Sequence, residues 1–378
     1  MAGCSVSASR LALAGACALL SACGPNWVGF TRAPEPAAVT PWAPLERADV
    51  FEGVSSETEV VGRPQKVIAR HEDTFTDIAR HFNLGYEELR AANPGVDPWL
   101  PGEGTEILLP TAHVIPDAPR EGVVVNLPAM RLWWFGPPDE TGRQTVITHP
   151  IGIGKVGWST PLGRFKVLSS RKDPPWTPPA SVRQAYAERG EHLPPVVPAG
   201  PDNPLGRHAV RLDNPVYLLH GTNKPAGVGM RVSHGCIRLY PEDIERLFDD
   251  LVPGTLVTMV DQPWLAGWQD GRLFLEAHKP LEDGEQDWNA ALERLRDRAA
   301  GRAVDWERVA GIAGSAMGLP LPVSAGTPPP VEWLAAAPEV ENRPRGNFKD
   351  SAPEEGVLPA REQLANEPRE QAEAYSPR

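Results

Sequence analysis

Cysteine is scarce in this chain of 378 residues, which contains only Cys4, Cys17, Cys23 and Cys236. Three of these four lie within the first 23 residues, so the remainder of the chain holds one thiol and cannot form a disulfide within itself. That excludes the class of small exported domains held together by several disulfides. It also makes Cys236 a candidate reactive thiol rather than half of a structural bridge.

An excess of positive charge is also missing, because 37 Lys and Arg residues stand against 49 Asp and Glu, a formal net charge of −12. Phosphate binding favours a basic surface, so we expect no nucleic-acid partner. Beyond the N-terminus the sequence has no apolar run long enough to span a bilayer. We therefore expect the folded part of the chain to be soluble.

The N-terminus carries the pattern of an export signal. Arg10 precedes the apolar run 11–20, which leads into Leu20-Ser21-Ala22-Cys23. A basic residue, a short apolar core and then small residues are typical of a signal peptide, predicted here for residues 1–22. The last four residues resemble a bacterial lipobox, which implies a diacylated Cys23 and membrane attachment. In lipoproteins of this class, aspartate directly after the lipidated cysteine favours the inner membrane. Gly24 stands at that position here, so we expect attachment to the outer membrane, on its periplasmic side. Ordinary secretion is the alternative.

Proline is abundant, with 43 residues, and unevenly placed. Residues 23–60 contain several prolines and no periodic apolar pattern, so we predict a linker that lifts the folded part off the membrane. Residues 319–378 are rich in Pro, Glu and Ala and poor in large apolar residues, which predicts a disordered tail.

Residues 65–110 predict a small β-α-α-β domain. Asp73 is expected to cap a helix in which Phe75, Ile78 and Phe82 follow helical spacing. A second short helix ends at Asn93-Pro94-Gly95, and the strand 106–110 closes the unit. This order and these motifs resemble a LysM module, which implies binding to N-acetylglucosamine-containing glycans such as peptidoglycan. The alternative is a small helical cap on the next domain.

Residues 121–260 predict a mainly β domain of the sandwich or barrel kind. Short strand-like runs such as 123–126, 130–135 and 145–148 alternate with Gly and Pro turns. One helix is expected to begin at Pro241, after the cysteine. Residues 261–318 form an accessory segment with a hairpin around Asp270-Gly271 and two helices.

Two short runs carry the chemistry of the second domain. They are His220-Gly221-Thr222-Asn223 and Ser233-His234-Gly235-Cys236-Ile237-Arg238-Leu239. A thiolate is the reactive form of cysteine, and a nearby imidazole can take its proton. Glycine beside a nucleophile lets a substrate carbonyl approach backbone N–H groups that can hold an oxyanion. The pattern therefore predicts a cysteine nucleophile.

These runs belong to an ordered set that also includes Gly152-Ile153-Gly154, Trp158-Ser159-Thr160-Pro161-Leu162-Gly163 and Asn203-Pro204-Leu205-Gly206. The set resembles the YkuD-type L,D-transpeptidase domain. Joined to a LysM module, it is most similar to the periplasmic ErfK/YbiS-like subgroup, some members of which anchor an outer-membrane lipoprotein to peptidoglycan.

The resemblance implies a role for each residue of the motif. Cys236 would attack a peptidoglycan tetrapeptide stem, with His220 as base and the Gly221 carbonyl holding its second nitrogen. The backbone N–H groups of Gly235 and Cys236 would form the oxyanion hole. Three further side chains match substrate-side positions, namely Ser233, His234 and Arg238. The acyl-enzyme would then form a 3→3 cross-link or attach a lipoprotein lysine.

The same residues are also compatible with other chemistries. His220, His234 and Cys236 could ligate zinc, although their tight spacing is unusual for a zinc motif, and we predict no metal or cofactor. In papain-like hydrolases the cysteine precedes the histidine, the reverse of the order here. Within the resembled family, water could replace the amine and release bound protein, or the chain could be an inactive wall-binding lipoprotein.

Overall fold

The computed structural model of the protein describes residues 49–214, 216–282, 284 and 286–342. The first strands are β1 (Val50–Val54), β2 (Val60–Gly62), β3 (Gln65–Ile68), β4 (Glu106–Leu109) and β5 (Ala112–Val114). Between β3 and β4 lie α1 (Phe75–His81) and α2 (Tyr86–Ala92). The predicted β-α-α-β order is therefore present, with β3 and β4 paired antiparallel.

The predicted cap of α1 is wrong by one residue. Thr74, not Asp73, is the N-cap, and its hydroxyl accepts from the Asp77 N–H while the Asp77 carboxylate accepts from the Thr74 N–H. This reciprocal pair satisfies two of the N–H groups that a helix leaves open at its start. Asp73 instead accepts hydrogen bonds from the Arg70 backbone and guanidinium.

The second region contains β6 (Gly122–Asn126), β7 (Arg131–Phe135), β8 (Gln144–Pro150), β9 (Ile153–Gly154), β10 (Gly163–Lys172), α3 (Ala180–Glu188), β11 (His208–Leu212), β12 (Leu218–His220), β13 (Arg231–Ser233), β14 (Ile237–Arg238), α4 (Pro241–Leu247) and β15 (Leu256–Val260). One nine-stranded sheet has the order β1-β8-β7-β6-β15-β10-β11-β12-β14, and β13 pairs separately with β9. The prediction of a mainly β catalytic region is confirmed.

The sheet is covered on both faces at β6, which explains the continuous apolar run in this strand. Val123 and Val125 lie in the main core with Ile244 and Leu247 of α4, while Val124 lies in a second cluster on the opposite face with Trp133. Successive side chains of a strand point to opposite faces, so a strand covered on both faces needs apolar residues at every position.

The C-terminal region contains β16 (Trp264–Gln269), β17 (Arg272–Ala277), α5 (Trp288–Ala299), α6 (Trp306–Ser315), β18 (Leu321–Pro322) and α7 (Pro330–Ala335). β16 and β17 form the predicted hairpin, and Asp270 and Gly271 both have positive φ at its turn. The two predicted helices are α5 and α6, each with an aspartate side chain at its N-cap. No helix in the described part of the chain is long and apolar enough to cross a membrane.

Two predicted boundaries differ from the structure. Residues 50–54, placed in the linker, form β1 on the edge of the large sheet, where Val50 pairs with Ile147 of β8. Residues 319–342, placed in the disordered tail, contain β18 and α7, and the indole of Trp333 packs against Phe274. In both places one buried apolar side chain, Val54 in β1 and Trp333 in α7, helps to hold a short element against its neighbours. The predicted signal peptide, Cys23 and the outer parts of the linker and tail lie outside the described residues.

Candidate active site

The two motif runs meet where β12 lies beside β14. These strands pair in parallel, with Leu219 opposite Ile237 and His220 opposite Arg238. Leu219 and Ile237 are both buried in the main core. That burial fixes the register, because a slip by one residue would turn an apolar side chain out of the core. The end of β12 and the start of β14 thus bring His220 next to the segment that carries the thiol of Cys236.

His220 is buried and held in one tautomer. Its Nδ1 lies 2.5 Å from the carbonyl oxygen of Gly221. A carbonyl only accepts, so Nδ1 carries the proton and donates it, which leaves Nε2 with a free lone pair. Burial lowers the pKa of His220 to about 3, and the charge of Arg238 acts in the same direction. The imidazole is therefore neutral at neutral pH and able to accept a proton.

Cys236 lies just before β14, with its Sγ 3.6 Å from the carbonyl oxygen of Val216. Burial raises the pKa of the Cys236 thiol above its ordinary value. A hydrogen bond with the Leu218 backbone and the charge of Arg238 lower that pKa in part. The two pKa shifts favour a neutral thiol beside a neutral imidazole at neutral pH.

Ser233 fixes the turn that presents the thiol. Its Oγ donates to the carbonyl oxygen of Cys236 at 2.6 Å and accepts from the Gly235 N–H at 3.1 Å. Gly235 has φ +102°, and a Cβ there would lie 2.8 Å from a ring carbon of Tyr217, so only glycine fits. The Gly235 N–H is thus occupied, whereas no hydrogen bond within the described residues occupies the Cys236 N–H.

Thr160 was not singled out from the sequence as a site residue, yet it contacts the same turn. Its Oγ1 donates to the carbonyl oxygen of Gly235 at 3.0 Å and accepts from the Gly154 N–H at 3.1 Å. The hydroxyl is buried and links the run that contains Gly154 to Gly235, which lies 75 positions from Thr160 in sequence. Thr160 lies in the Ser159-Thr160-Pro161 run of the quoted motif set, and that position is the sequence feature from which its role could have been predicted.

His234 faces a different set of side chains from His220. Its ring meets Trp158 edge-on at 4.7 Å between centroids and lies 6.4 Å from the ring of Tyr186 on α3. Burial, together with the positive charges of Lys155, Arg189 and Arg238, lowers the pKa of His234 to about 4. His234 is therefore a neutral group on an aromatic, positively charged flank.

Arg238 is the predicted substrate-side cation, and the structure places it opposite His220 in the strand register. Its charge lowers the pKa of both Cys236 and His220, so it favours the thiolate and disfavours the imidazolium. Among the residues that the structure describes, no group of three or more His, Cys, Asp or Glu side chains could hold a metal ion. The zinc alternative gains no support from this arrangement.

Comparison with known proteins identifies the same region. The YkuD family, described as the L,D-transpeptidase catalytic domain, matches residues 120–259. The chain is 43% identical over 235 residues to "Probable L,D-transpeptidase YcfS" of Escherichia coli, an alignment that covers 59% of this chain and 72% of that protein. It is 37% identical over 282 residues to "Probable L,D-transpeptidase ErfK/SrfK" of Salmonella typhimurium, which covers 72% and 90%.

Among solved structures, the catalytic domain of the E. faecium L,D-transpeptidase aligns with 21% identity and a TM-score of 0.27. It covers 38% of this chain and 100% of that chain. At such a TM-score the alignment adds nothing to the sequence relationship.

Proposed function

Because this chain belongs to the L,D-transpeptidase family, we propose that it exchanges an amide bond in peptidoglycan tetrapeptide stems through an acyl-enzyme on Cys236. The observation that supports this most is the pairing of β12 with β14, which places a neutral, tautomer-fixed His220 beside the thiol segment. A nucleophile, a base and a group that orients the base are the parts that covalent acyl transfer needs.

In the first step, Cys236 Sγ attacks the carbonyl carbon between the third and fourth residues of the stem. The thiol proton passes to His220 Nε2 as the sulfur–carbon bond forms. Collapse of the tetrahedral intermediate breaks the amide bond, and the imidazolium returns the proton to the departing D-alanine nitrogen. Gly221 supports this exchange, because its carbonyl keeps the proton on Nδ1 and leaves the lone pair of Nε2 available to accept the thiol proton.

The oxyanion is assigned to the Cys236 N–H. Of the two predicted donors, the Gly235 N–H donates to Ser233 Oγ in the resting enzyme. Thr160 donates to the carbonyl oxygen of the Gly235–Cys236 peptide, and Ser233 hydrogen-bonds the peptides before and after it, so the remaining N–H is preorganised rather than free to rotate. The positive charge of Arg238 stabilises the developing thiolate, and its guanidinium is suited to pair with a stem carboxylate.

In the second step an amine attacks the thioester and His220 takes its proton, so that a new amide forms and the thiol is restored. We assign the acceptor to an amine of a second stem, giving a 3→3 cross-link, or to the lysine of an outer-membrane lipoprotein. Water as acceptor would make the protein a hydrolase that releases stem-bound protein, and an inactive wall-binding lipoprotein is the remaining alternative.

The region from 65 to 110 is assigned as a LysM module that holds glycan strands near the active site. Its support is the β-α-α-β order of β3, α1, α2 and β4 together with the motifs of its sequence. The lipobox-like run ending at Cys23 supports a lipid anchor, and with it a place in the cell envelope on the periplasmic side of the outer membrane.

Incubation of the full chain with tetrapeptide-rich sacculi, followed by muropeptide analysis, tests these assignments. New 3→3 dimers or lipoprotein-linked stems support transpeptidation, and tripeptides without new amides support hydrolysis. Unchanged muropeptides together with co-sedimentation of protein and sacculi would contradict catalysis and support wall binding alone. Cys236→Ala is the matched control, expected to bind sacculi normally and to leave the muropeptides unchanged.

A further inference from the structure

The strand that carries Ser233 is not part of the large catalytic sheet. Among the described residues, β13 pairs only with the short strand β9, through Arg231 opposite Ile153 and Ser233 opposite Gly154. Such a short two-stranded ladder is a weak support by itself, because isolated strand pairs are marginally stable in water. Backbone hydrogen bonds between Gly152 and Arg238 join the β9 side of this ladder to β14, and the side chains of β13 gain further support from outside the catalytic sheet.

The region of residues 65–110, called here the small module, supplies that support with its hydrophobic core. The side chains of Met230 and Val232, which flank Arg231, are buried in the same cluster as Phe75, Ile78 and Leu89 of the module. Burial of one such aliphatic side chain contributes about 1.5–3 kcal/mol. The module's core is therefore completed by the chain segment that leads directly into Ser233.

The backbones of the two regions also touch. The N–H groups of Tyr86 and Glu87 donate to the carbonyl oxygens of Val228 at 3.4 Å and Gly229 at 3.2 Å. A Cβ on Gly85 would lie 2.8 Å from the Cα of Gly229, closer than real Cβ atoms approach a backbone carbon. Gly85 has φ −87°, an ordinary value for any residue, so the requirement for glycine comes from this contact and not from its own conformation.

Buried polar contacts fix the turn that bears Gly85. The Arg131 guanidinium of β7 donates to the Glu88 carboxylate at 2.6 Å, and both side chains are almost fully buried. The phenol of Tyr240, which precedes α4, donates to the carbonyl oxygen of Leu84 at 3.2 Å. The module is therefore joined to the elements on both sides of the thiol segment.

We propose that the small module is a positioning part of the active site, in addition to any glycan it binds. Its core packs against Met230 and Val232, and its Gly85 turn packs against Gly229 just before β13. β13 in turn holds the Cys236 turn through the hydrogen bond from Ser233 Oγ to the Cys236 carbonyl. The inference rests on the proposed function for the reaction that this positioning serves. A displacement of about 1 Å at such a turn is enough to lower a catalytic rate substantially.

Gly85→Ala in the full chain tests the proposal, because it inserts one methyl group between the module and Gly229. The assay is D-alanine release from a soluble tetrapeptide stem that carries no glycan, so loss of glycan binding cannot lower the rate. We expect kcat to fall about tenfold while KM changes less than about twofold. Gly311→Ala is the matched control, since nothing lies within 4 Å of a Cβ at that position of α6. A kcat of Gly85→Ala equal to that of the control would overturn the proposal.

Tyr240→Phe covers the case in which Gly85→Ala does not fold, because it removes the hydrogen bond to Leu84 and keeps the aromatic ring. We expect kcat to fall about threefold with an unchanged circular dichroism spectrum, and an unchanged kcat would overturn the proposal. The rate of Cys236 alkylation by iodoacetamide, followed by peptide mass, separates the two proposals. If the wild-type chain releases no D-alanine, the proposed function fails. The positioning proposal is then tested by alkylation alone: Gly85→Ala and Tyr240→Phe must change the alkylation rate, and Gly311→Ala must leave it unchanged.

Discussion

The catalytic motif and the small module are held in the molecule in opposite ways. Within the motif, hydrogen bonds join near neighbours in sequence, as between Ser233 and Cys236 or His220 and Gly221. The module is joined to the catalytic region by contacts between distant residues, as between Leu84 and Tyr240, which are 156 positions apart. The chemistry is therefore encoded locally, whereas its placement depends on tertiary contacts that no short run of sequence reveals.

Replacement of the proposed base, His220, is expected to give the largest difference between loss of catalysis and loss of sacculus binding. His220→Gln keeps the size of the side chain but cannot accept and return the thiol proton, so we expect kcat to fall about 10³-fold. Binding to sacculi, assigned to the module, should not change. D-alanine release and co-sedimentation measure the two effects, with His192→Gln, an exposed histidine outside the motif, as control. Equal losses in both assays would remove the distinction between the regions.

Loss of the buried ion pair tests the junction itself. Glu88→Gln leaves the Arg131 guanidinium buried without its carboxylate, which costs about 3–5 kcal/mol in free energy of unfolding. Urea denaturation measures this cost. The same substitution in the half-exposed pair of Arg189 and Glu191 should cost less than about 1 kcal/mol. If Glu88→Gln cost no more than Glu191→Gln, the module would not be anchored through this pair.

Thr160→Val tests a long-range contact within the catalytic region, because Thr160 hydrogen-bonds a motif residue that is distant in sequence. Valine cannot donate to Gly235 or accept from Gly154, so the peptide that carries the proposed oxyanion donor loses the hydrogen bond to its carbonyl oxygen. We expect kcat for D-alanine release to fall about tenfold. Thr141→Val, at an exposed turn, is the control. An unchanged kcat would leave Ser233 as sufficient support for the turn.

The smallest expected effect concerns the charge of Arg238. Burial raises the pKa of the Cys236 thiol, so its alkylation rate should still be rising above pH 9. Arg238 lowers that pKa because its positive charge stabilises the thiolate, so Arg238→Gln should raise the pKa and lower the alkylation rate at pH 8 about threefold. The pH profile of alkylation measures both, with Arg294→Gln as control. A profile that moves to lower pH would contradict the assignment.

Much of the fold was predictable because its elements follow local patterns. The paired strands of the catalytic sheet contain short apolar runs between Gly and Pro turns, and the hairpin at Asp270 and Gly271 contains the turn residues that its positive φ values need. Helix α3 was missed because only Val182 of its side chains is buried, so the sequence has no apolar stripe. Its position directly after Pro178 and Pro179 also favoured a loop.

The motif residues of the candidate site were predictable for the same reason, and their supports were not. His220 and Cys236 lie in two runs that are close in sequence and in space, and their neighbours carry glycines at positions that need them. Thr160, Met230 and Val232 act through contacts with residues far along the chain. The predicted linker boundary was wrong for a similar reason, because β1 forms by pairing with β8, which lies far along the chain.

Intact-mass analysis of the full chain mixed with a soluble tetrapeptide stem tests the central assignment most directly. We predict release of D-alanine and an added mass equal to the tripeptide acyl group, located by peptide mapping at Cys236. Cys236→Ala should gain no mass and release no D-alanine while retaining the unfolding free energy of the wild type within about 1 kcal/mol. D-alanine exchange by Cys236→Ala, or an acyl group on any other residue, would contradict the assignment of Cys236 as the nucleophile.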